Sequence, residues 1–278
     1  MTGSAAAESI DRERFVASPR RSGQGDDVLR LLSLNLAHGR LTARHQSLVP
    51  RRDTERNLER VAAVVRDEGV DLAALQEADG PSAWSGNFDH VATIARLGGL
   101  SDHVRGEHNP FRLGRYDLRS GTALVSAWKL AHVESRRFGL NWRDTKGFVV
   151  ASVRIPRWDD LEIDLVSVHL DFLRPTIRRR QVERMVETLR RRDRPRVLLG
   201  DLNCCFVLEP STLRFVEKRL DVRMHAPAAG SLPTYPARRP RRRLDWIMAS
   251  RHFEFVDYRT LDRTLSDHRA VIADLRRR

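Results

Sequence analysis

The fold is decided by RVLLGDLN, residues 196–203. Val197, Leu198 and Leu199 predict a buried strand. The strand ends at Gly200, and the turn that follows carries Asp201 and Asn203. A carboxylate and an amide two residues apart can point the same way, one accepting a proton from water and the other donating to a phosphoryl oxygen. Asp and Asn are also ordinary turn formers, so this motif alone leaves a plain turn open.

Similar apolar runs recur on both sides of this segment, separated by amphipathic stretches. Helices are predicted for residues 57–68, 90–99 and 176–192, where apolar residues recur at helical spacing. Strands are predicted for residues 28–36, 70–77, 121–128, 147–155, 161–170, 196–203, 242–250, 252–258 and 268–275. Strands in consecutive pairs, with helices at similar positions in each half, predict an α/β fold of two mixed sheets stacked face to face with helices outside.

The chain is expected to form one domain over residues 28–278, preceded by a loose polar arm, residues 1–27. The arm has no apolar core of signal-peptide length, and no apolar run approaches the about 18 residues of a membrane-spanning helix. A soluble, cytoplasmic monomer is therefore expected.

The charge of the chain favours an anionic substrate. The 278 residues include 50 basic and 37 acidic side chains, for a formal net charge of +13, and only three of the basic residues are lysines: Lys129, Lys146 and Lys218. Arginine suits phosphate because its planar fork donates two hydrogen bonds at once. A general arginine bias, or a solvated basic surface, explains the excess equally well.

Cys204 and Cys205 are the two cysteines of the chain. Adjacent cysteines are poorly placed to form a disulfide that would stabilise the fold. The sequence contains no CxxC pair and no His/Cys spacing typical of a zinc site, so a packing role is favoured.

Two further strand ends carry groups suited to a metal ion and a phosphate. Glu77 ends LAALQEAD, and because a buried carboxylate is costly unless it is paired or metal-bound, it is a candidate Mg²⁺ ligand. Asp267 and His268 lie in LSDHRAV, where the carboxylate can reach a metal and the imidazole a phosphate. A solvated glutamate and a capped turn are the respective alternatives.

His169, Asp245 and Asn35 complete the set of candidate residues. His169 follows a strand, and taken alone it is slightly better explained as a structural residue, whereas near a leaving oxygen an ordinary histidine pKa would suit protonation at neutral pH. Asp245 opens a strand and can fix the tautomer of a histidine. Asn35 can donate its amide to phosphate or hold a carboxylate in place.

The motifs LLSLNLAHGR, LAALQEAD, SGTALVSAW, SVHLDF, LLGDLN, LPTYP…RRRLDWIM and LSDH occur in this order between residues 31 and 268. Together they resemble the endonuclease/exonuclease/phosphatase superfamily of DNase I-like, metal-dependent phosphoesterases. The resemblance implies a four-layer α/β sandwich and a divalent ion, usually Mg²⁺, with Mn²⁺ as the alternative.

The same resemblance assigns roles to the candidate residues. It implies metal ligation by Glu77, with Asp267 as a metal-side or orienting carboxylate and Asn35 as a further candidate ligand. It also implies water activation by Asp201, phosphate orientation by Asn203 and Asn35, transition-state stabilisation by His268 paired with Asp245, and assistance to the leaving oxygen by His169. The chain lacks the further acidic ligand that some AP endonucleases carry after the first asparagine. It also lacks the signatures of the inositol-polyphosphate 5-phosphatases, with Cys204-Cys205 after GDLN and LDW in place of their Cys-Asp-Arg.

The arginine-rich segment ARRPRRRLDW (237–246) makes Arg242 and Arg243 candidate substrate-binding residues, with a solvated loop as the alternative. The sequence thus predicts a Mg²⁺-dependent hydrolase of phosphodiester bonds, with DNA or RNA as the favoured substrate. A phosphatase or phospholipase-like enzyme for small or lipid phosphates is the nearest alternative. A non-catalytic nucleic-acid-binding protein is the alternative from another class.

Overall fold

The computed structural model describes residues 27–113, 116–140, 144–225 and 232–278. Within these ranges the strands and α-helices are β1 (Val28–Asn35), α1 (Arg51–Asp67), β2 (Leu72–Asp79), α2 (His90–Gly98), β3 (Asp102–Leu113), β4 (Tyr116–Ser126), β5 (Leu130–Arg137), β6 (Gly147–Ile155), β7 (Leu161–His169), α3 (Pro175–Leu189), β8 (Arg196–Asp201), α4 (Pro210–Leu220), β9 (Arg223–Met224), β10 (Asp245–Ala249), β11 (Phe253–Thr260) and β12 (Val271–Arg277). The predicted arm, residues 1–27, lies outside the described residues except for Asp27.

The strands form two six-stranded sheets, in the orders β11-β12-β1-β2-β4-β3 and β5-β6-β7-β8-β10-β9. Each sheet contains one parallel pair, β1 with β2 and β7 with β8, among antiparallel neighbours. Both sheets are therefore mixed, and the predicted fold class is confirmed.

Alternating side chains divide each sheet between two apolar layers. Leu29 and Leu31 of β1 pack between the sheets, whereas Leu32 and Leu34 pack outward with residues of α1 and α2. The second sheet repeats this arrangement, because outward residues such as Val166 pack with α3 and α4. The order of layers is helices, sheet, sheet, helices, which is a four-layer sandwich. Within the described ranges, no helix has the length and apolar character needed to span a membrane.

Several element boundaries differ from the predicted ones. α1 begins at Arg51 rather than residue 57, and its first turns carry only polar residues, of which Thr54 is buried, so they lack the apolar spacing that predicts a helix. β3 and β5 were not predicted, and β5 is an edge strand whose residues after Leu130 are mostly exposed, so it carries little apolar signal. α4 was also not predicted. β10 and β12 begin three residues later than the predicted 242 and 268, because the residues before each strand form the turns of the site described below, and β12 ends at Arg277, two residues beyond the predicted 275.

Candidate active site

At one edge of the sandwich, the apolar core between the sheets ends at two rows of mostly polar residues, one row on each sheet. The row of the second sheet is aligned across four adjacent strands: Gly147, His169, Asp201 and Asp245. The row of the first sheet is Asn35, Gln76 and Thr122. These positions continue the inward-facing parity of the core residues below them, so the alternation that builds the core also points these side chains between the sheets.

The two rows meet at a cleft of about 320 Å³. All the predicted site residues except Asp245 and Arg243 line this cleft: Asn35, Glu77, His169, Asp201, Asn203, Arg242, Asp267 and His268. The geometric expectation behind the sequence analysis, that these distant segments converge, is met.

Asp201 is buried at the centre of the cleft and held from both sheets. Its Oδ2 accepts a hydrogen bond from Asn35 Nδ2 at 3.0 Å, and its Oδ1 accepts one from the Asn203 backbone at 2.9 Å. Burial raises the pKa of Asp201 to about 6, with Asp245 adding to the effect and His268 opposing it. The preceding Gly200 is required, since it has φ +154° and a Cβ atom there would lie 1.9 Å from the Val168 carbonyl oxygen.

His268 and Asp245 form a buried pair behind Asp201. The Nδ1 atom of His268 lies 2.8 Å from Asp245 Oδ2, and its Nε2 lies 3.9 Å from Asp201 Oδ2. Burial alone would lower the pKa of His268, but the carboxylates of Asp245 and Asp201 outweigh it and raise the pKa to about 10. At neutral pH the ring is therefore a cation whose Nε2–H faces the cleft.

His169 lies beside Asp201 on the neighbouring strand, with Nε2 3.4 Å from Asp201 Oδ2. The ammonium group of Lys146 lies 2.8 Å from the same ring nitrogen. Burial, reinforced by Lys146, lowers the pKa of His169 well below its ordinary value. The expectation of a near-neutral pKa for this histidine is therefore wrong, because its ring is desolvated and faces another cation.

Glu77 reaches the cleft through a break in the sheet. The register between β2 and β4 shifts between Gln76 and Ala78, so Glu77 is a bulge residue, and its φ of +48° lies in the left-handed region. The bulge turns a side chain that strict alternation would send outward toward the helices. Its carboxylate lies 3.4 Å from His38 Nε2 and 3.7 Å from Lys146 Nζ.

The negative charge of Glu77 makes it a candidate ligand for a cation. Burial would raise the pKa of Glu77, but the positive charges of His38 and Lys146 outweigh it and hold the pKa well below its usual range. The carboxylate is therefore ionised and 23 % exposed to the cleft. A hard divalent cation with oxygen ligands fits this position.

The other predicted ligands already have protein partners. Asp267 accepts a hydrogen bond from Arg40 Nη2 at 2.7 Å, and Asn35 uses its amide on Asp201 and on the Ala37 backbone. Asp201, Asp245 and His268 offer ligand atoms within 4.8 Å of one another. In this three-residue cluster, the hydrogen bond between Asp245 Oδ2 and His268 Nδ1 already occupies two of the possible ligand atoms. Glu77 is therefore the better position for a metal ion.

The remaining predicted residues divide between the cleft and the core. Arg242 is exposed and lines the cleft, whereas Arg243 is buried, with its guanidinium carbon 3.9 Å from the ring centroid of Trp246 and 4.7 Å from that of Tyr258. Arg243 therefore does not line the cleft, contrary to the prediction that it binds substrate. Asn203 donates its amide to the Leu170 carbonyl at 3.0 Å, which fixes its side chain at the cleft wall.

Cys204 and Cys205 are buried and not bonded to each other, as the packing prediction requires. The Cys204 side chain belongs to the core between the second sheet and its helices, and its carbonyl accepts a hydrogen bond from Trp246 Nε1 at 3.1 Å. Burial raises the pKa of the Cys204 thiol above its ordinary value.

Sequence reasoning missed His38, Arg40, Lys146 and Tyr235, which also contribute to the site. Lys146 had a signal, because a lysine is rare in this arginine-rich chain. His38 and Arg40 lie in the LNLAHGR motif directly after Asn35. Tyr235 packs its ring on His268 at a centroid distance of 4.8 Å, a tertiary contact that carries no local signal.

A DNase I-like sandwich with a polar cleft at one edge of its paired sheets defines a class of phosphoester hydrolases. The sequence model of the Endonuclease/Exonuclease/phosphatase family matches residues 32–268. The chain therefore belongs to the Endonuclease/Exonuclease/phosphatase family.

Solved structures of low identity share the fold. One is an endonuclease/exonuclease/phosphatase from Beutenbergia cavernae, with 21% identity, 90% of this chain and 72% of that chain covered, and a TM-score of 0.69. Sphingomyelinase C from Streptomyces griseocarneus has 18% identity, coverages of 89% and 99%, and a TM-score of 0.62. A mannosyl-6-phosphatase from Bacteroides thetaiotaomicron has 14% identity, coverages of 89% and 99%, and a TM-score of 0.66. A comparison with curated proteins found no match.

Proposed function

We propose that the protein hydrolyses phosphodiester bonds with the help of a divalent cation, Mg²⁺ or Mn²⁺. The observation that carries the proposal is the meeting of Asp201, the cationic His268 and the ionised Glu77 around one cleft. These are a base, a hydrogen-bond donor for phosphoryl oxygens and a cation ligand, which together suit in-line attack of water on phosphorus.

Asp201 is the proposed general base. Its pKa of about 6 leaves it ionised at neutral pH while keeping it basic enough to accept a proton from water. Asn35 and the Asn203 backbone hold its two oxygens, so the base has a fixed direction before substrate arrives.

His268 is the proposed donor to the phosphoryl group. Asp245 holds Nδ1, which leaves the Nε2–H to donate to a phosphoryl oxygen and to stabilise the charge that develops there. On the other side of Asp201, the neutral His169 and the Lys146 ammonium group form a contact that can donate to the leaving oxygen.

Glu77 would hold the divalent cation, and the bound cation would neutralise charge on the phosphoryl oxygens. Asn35 and Asp267 remain candidate ligands, although each would first exchange a protein partner, Asp201 or Arg40.

The predictions of a monomer and of a cytoplasmic location stay predictions.

A nucleic-acid backbone is the first proposed substrate class. The net charge of +13 and the exposed Arg242 at the cleft favour a polyanion. Binding to such a substrate should weaken steeply as salt is added.

Lipid phosphodiesters are a second candidate, and a specific observation favours them. The loops that follow the parallel strands β7 and β8 expose four large apolar side chains, here called the apolar rim: Phe172 (63 % exposed), Leu173 (66 %), Val207 (81 %) and Leu208 (72 %). Phe172 also lines the cleft. Exposed apolar groups on loops that follow the strands of the site, one of them at the cleft itself, suit the surface of a lipid aggregate.

The test is a substrate panel of plasmid DNA, RNA, phosphoinositide vesicles and sphingomyelin vesicles, each with Mg²⁺, Mn²⁺ or EDTA. We expect metal-dependent hydrolysis of at least one phosphodiester, and its loss in Asp201→Asn. Salt-sensitive nucleic-acid binding with no hydrolysis of any substrate would instead support the non-catalytic alternative.

The rim variants decide between the two substrate classes. If lipids are the substrate, Phe172→Ser with Leu173→Ser should reduce hydrolysis in vesicles, whereas Leu48→Ser, which removes an apolar side chain 71 % exposed elsewhere, should not. If wild type, the double rim variant and Leu48→Ser hydrolyse vesicle lipids equally fast, the apolar rim gives no support for a lipid substrate.

A further inference from the structure

We infer that His38 is a nitrogen ligand of the cation held by Glu77, and that the site therefore prefers Mn²⁺ or a similar first-row ion to Mg²⁺. The inference rests on the proposed function only in taking Glu77 as a cation ligand. It concerns a residue that lies outside the predicted ligand set.

The donor atoms have the spacing of a shared ion. His38 Nε2 lies 3.4 Å from Glu77 Oε2, and the two side chains are 15 % and 23 % exposed. Two donors about 2.1 Å from one octahedral ion, at a right angle to each other, lie about 3 Å apart. Release of the Nε2 proton of His38, with a small movement of either side chain, would thus let both groups bind one ion.

The other ring nitrogen of His38 is held as it is in metal-binding histidines. Nδ1 lies 2.8 Å from Asp79 Oδ1, and the second oxygen of Asp79 accepts a hydrogen bond from Trp84 Nε1 at 2.9 Å. A carboxylate on Nδ1 fixes the ring orientation and leaves Nε2 as the ligand atom. Asp79 has a side chain that is 0 % exposed, so this support is rigid.

The backbone keeps His38 in this position at a cost in strain. Ala37, His38 and Glu77 have φ values of 48°, 55° and 48°, all in the left-handed region that non-glycine residues rarely adopt. The turn is tied to the catalytic centre, because the Ala37 backbone donates to Asn35 Oδ1 at 3.0 Å and the same amide group holds Asp201. The fold thus fixes the imidazole relative to the proposed base.

The chemical consequence is a change of metal preference. Carboxylate and water oxygens suit both Mg²⁺ and Mn²⁺, whereas an added imidazole nitrogen favours first-row transition ions over Mg²⁺, with an affinity that rises from Mn²⁺ toward Cu²⁺. A simple ion pair between His38 and the two carboxylates would place no nitrogen on the metal and would leave Mg²⁺ and Mn²⁺ equally affected by its removal.

The experiment uses metal-free full-length protein and Mn²⁺ alone. Pulsed electron paramagnetic resonance of bound Mn²⁺ detects a directly coordinated imidazole nitrogen, and a parallel titration gives the dissociation constants of Mn²⁺ and, by competition, Mg²⁺. The variants are His38→Gln and Asp79→Asn, with His45→Ala as the matched control. Both histidines lie beside the Trp84 ring, at centroid distances of 5.1 Å for His38 and 6.5 Å for His45, but His45 is exposed. Circular dichroism checks that each variant is folded.

We expect a nitrogen coupling in wild type and in His45→Ala that is lost in His38→Gln. Mn²⁺ affinity should fall about tenfold or more in His38→Gln and about tenfold in Asp79→Asn, with a smaller fall for Mg²⁺. No nitrogen coupling in folded wild type, or a coupling that persists in His38→Gln from another histidine, would overturn the inference. If His38→Gln does not fold, the wild-type spectrum and Asp79→Asn decide.

The outcome is separable from that of the proposed function. If Mn²⁺ binds without a nitrogen ligand and the protein still hydrolyses a phosphodiester, only the inference about His38 is contradicted. If Mn²⁺ binds with a nitrogen ligand and no substrate is hydrolysed, the proposed function is contradicted and the inferred metal site is supported.

Discussion

The pairing of Asp245 with His268 gives the sharpest expectation about catalysis, and Asp245→Asn is the perturbation that tests it. The substitution keeps the size of the side chain and removes its charge at a fully buried position 2.8 Å from His268 Nδ1. The His268 ring should then lose the main interaction that keeps it protonated, while the weaker attraction of Asp201 remains.

The magnitude follows from the pKa of His268. Its value of about 10 stands about 3.5 above the ordinary 6.5, against a burial effect that pulls the other way. With Asp201 still present, we expect Asp245→Asn to lower the pKa by roughly two units, which corresponds to about 2.7 kcal/mol. The alkaline limb of the rate profile should move from about pH 10 to about pH 8, so the rate at pH 9 should fall about tenfold from this effect alone.

The assay is the pH dependence of kcat on a soluble aryl phosphodiester, together with the NMR titration of the His268 ring. Asp262→Asn is the control, because Asp262 is 88 % exposed and forms a surface ion pair with Arg269. An alkaline limb and a ring pKa that stay near 10 in Asp245→Asn would refute the role given to the pair.

Four further outcomes are expected. Asp201→Asn should remove the acidic limb near pH 6, where protonation of Asp201 stops it from accepting a proton, and should lower kcat at pH 8 by about 100-fold or more. Glu77→Gln should abolish the rise in Tm that Mg²⁺ or Mn²⁺ gives wild type, as read by calorimetry; an undiminished rise would move the metal elsewhere. Gly200→Ala should lower the free energy of unfolding in urea by about 2 kcal/mol or more, because its Cβ would meet the Val168 carbonyl at 1.9 Å. Arg243→Met should lower the free energy of unfolding by about 1–3 kcal/mol and leave KM within about twofold, since its guanidinium stacks on Trp246 rather than facing the cleft; a large rise in KM would restore its predicted role in substrate binding.

Much of the site followed from strand periodicity. Asp201, His169 and Asn35 occupy inward positions at the ends of strands whose inward residues are mostly apolar, and that parity is visible in the sequence. The α4 helix also had a readable signal in Leu213, Val216 and Leu220, but its short length and the flanking polar loops obscured it.

The parts that could not be predicted depend on contacts between distant segments. Glu77 faces the cleft only because a bulge breaks the alternation of β2, and no local pattern marks that bulge. The low pKa of His169 depends on burial between the sheets and then on Lys146, which approaches from the loop before β6. Arg243 lies in a basic run that indicates solvent, yet it is buried by the rings of Trp246 and Tyr258.

The most direct test of water attack in this cleft is hydrolysis of a soluble phosphodiester in ¹⁸O-labelled water, with the divalent cation removed and then restored. We expect one ¹⁸O atom in the phosphomonoester product, formed only with the cation present and at most about 1 % as fast by Asp201→Asn. Hydrolysis that proceeds equally in EDTA, or that Asp201→Asn catalyses at the wild-type rate, would contradict the assignment of this site.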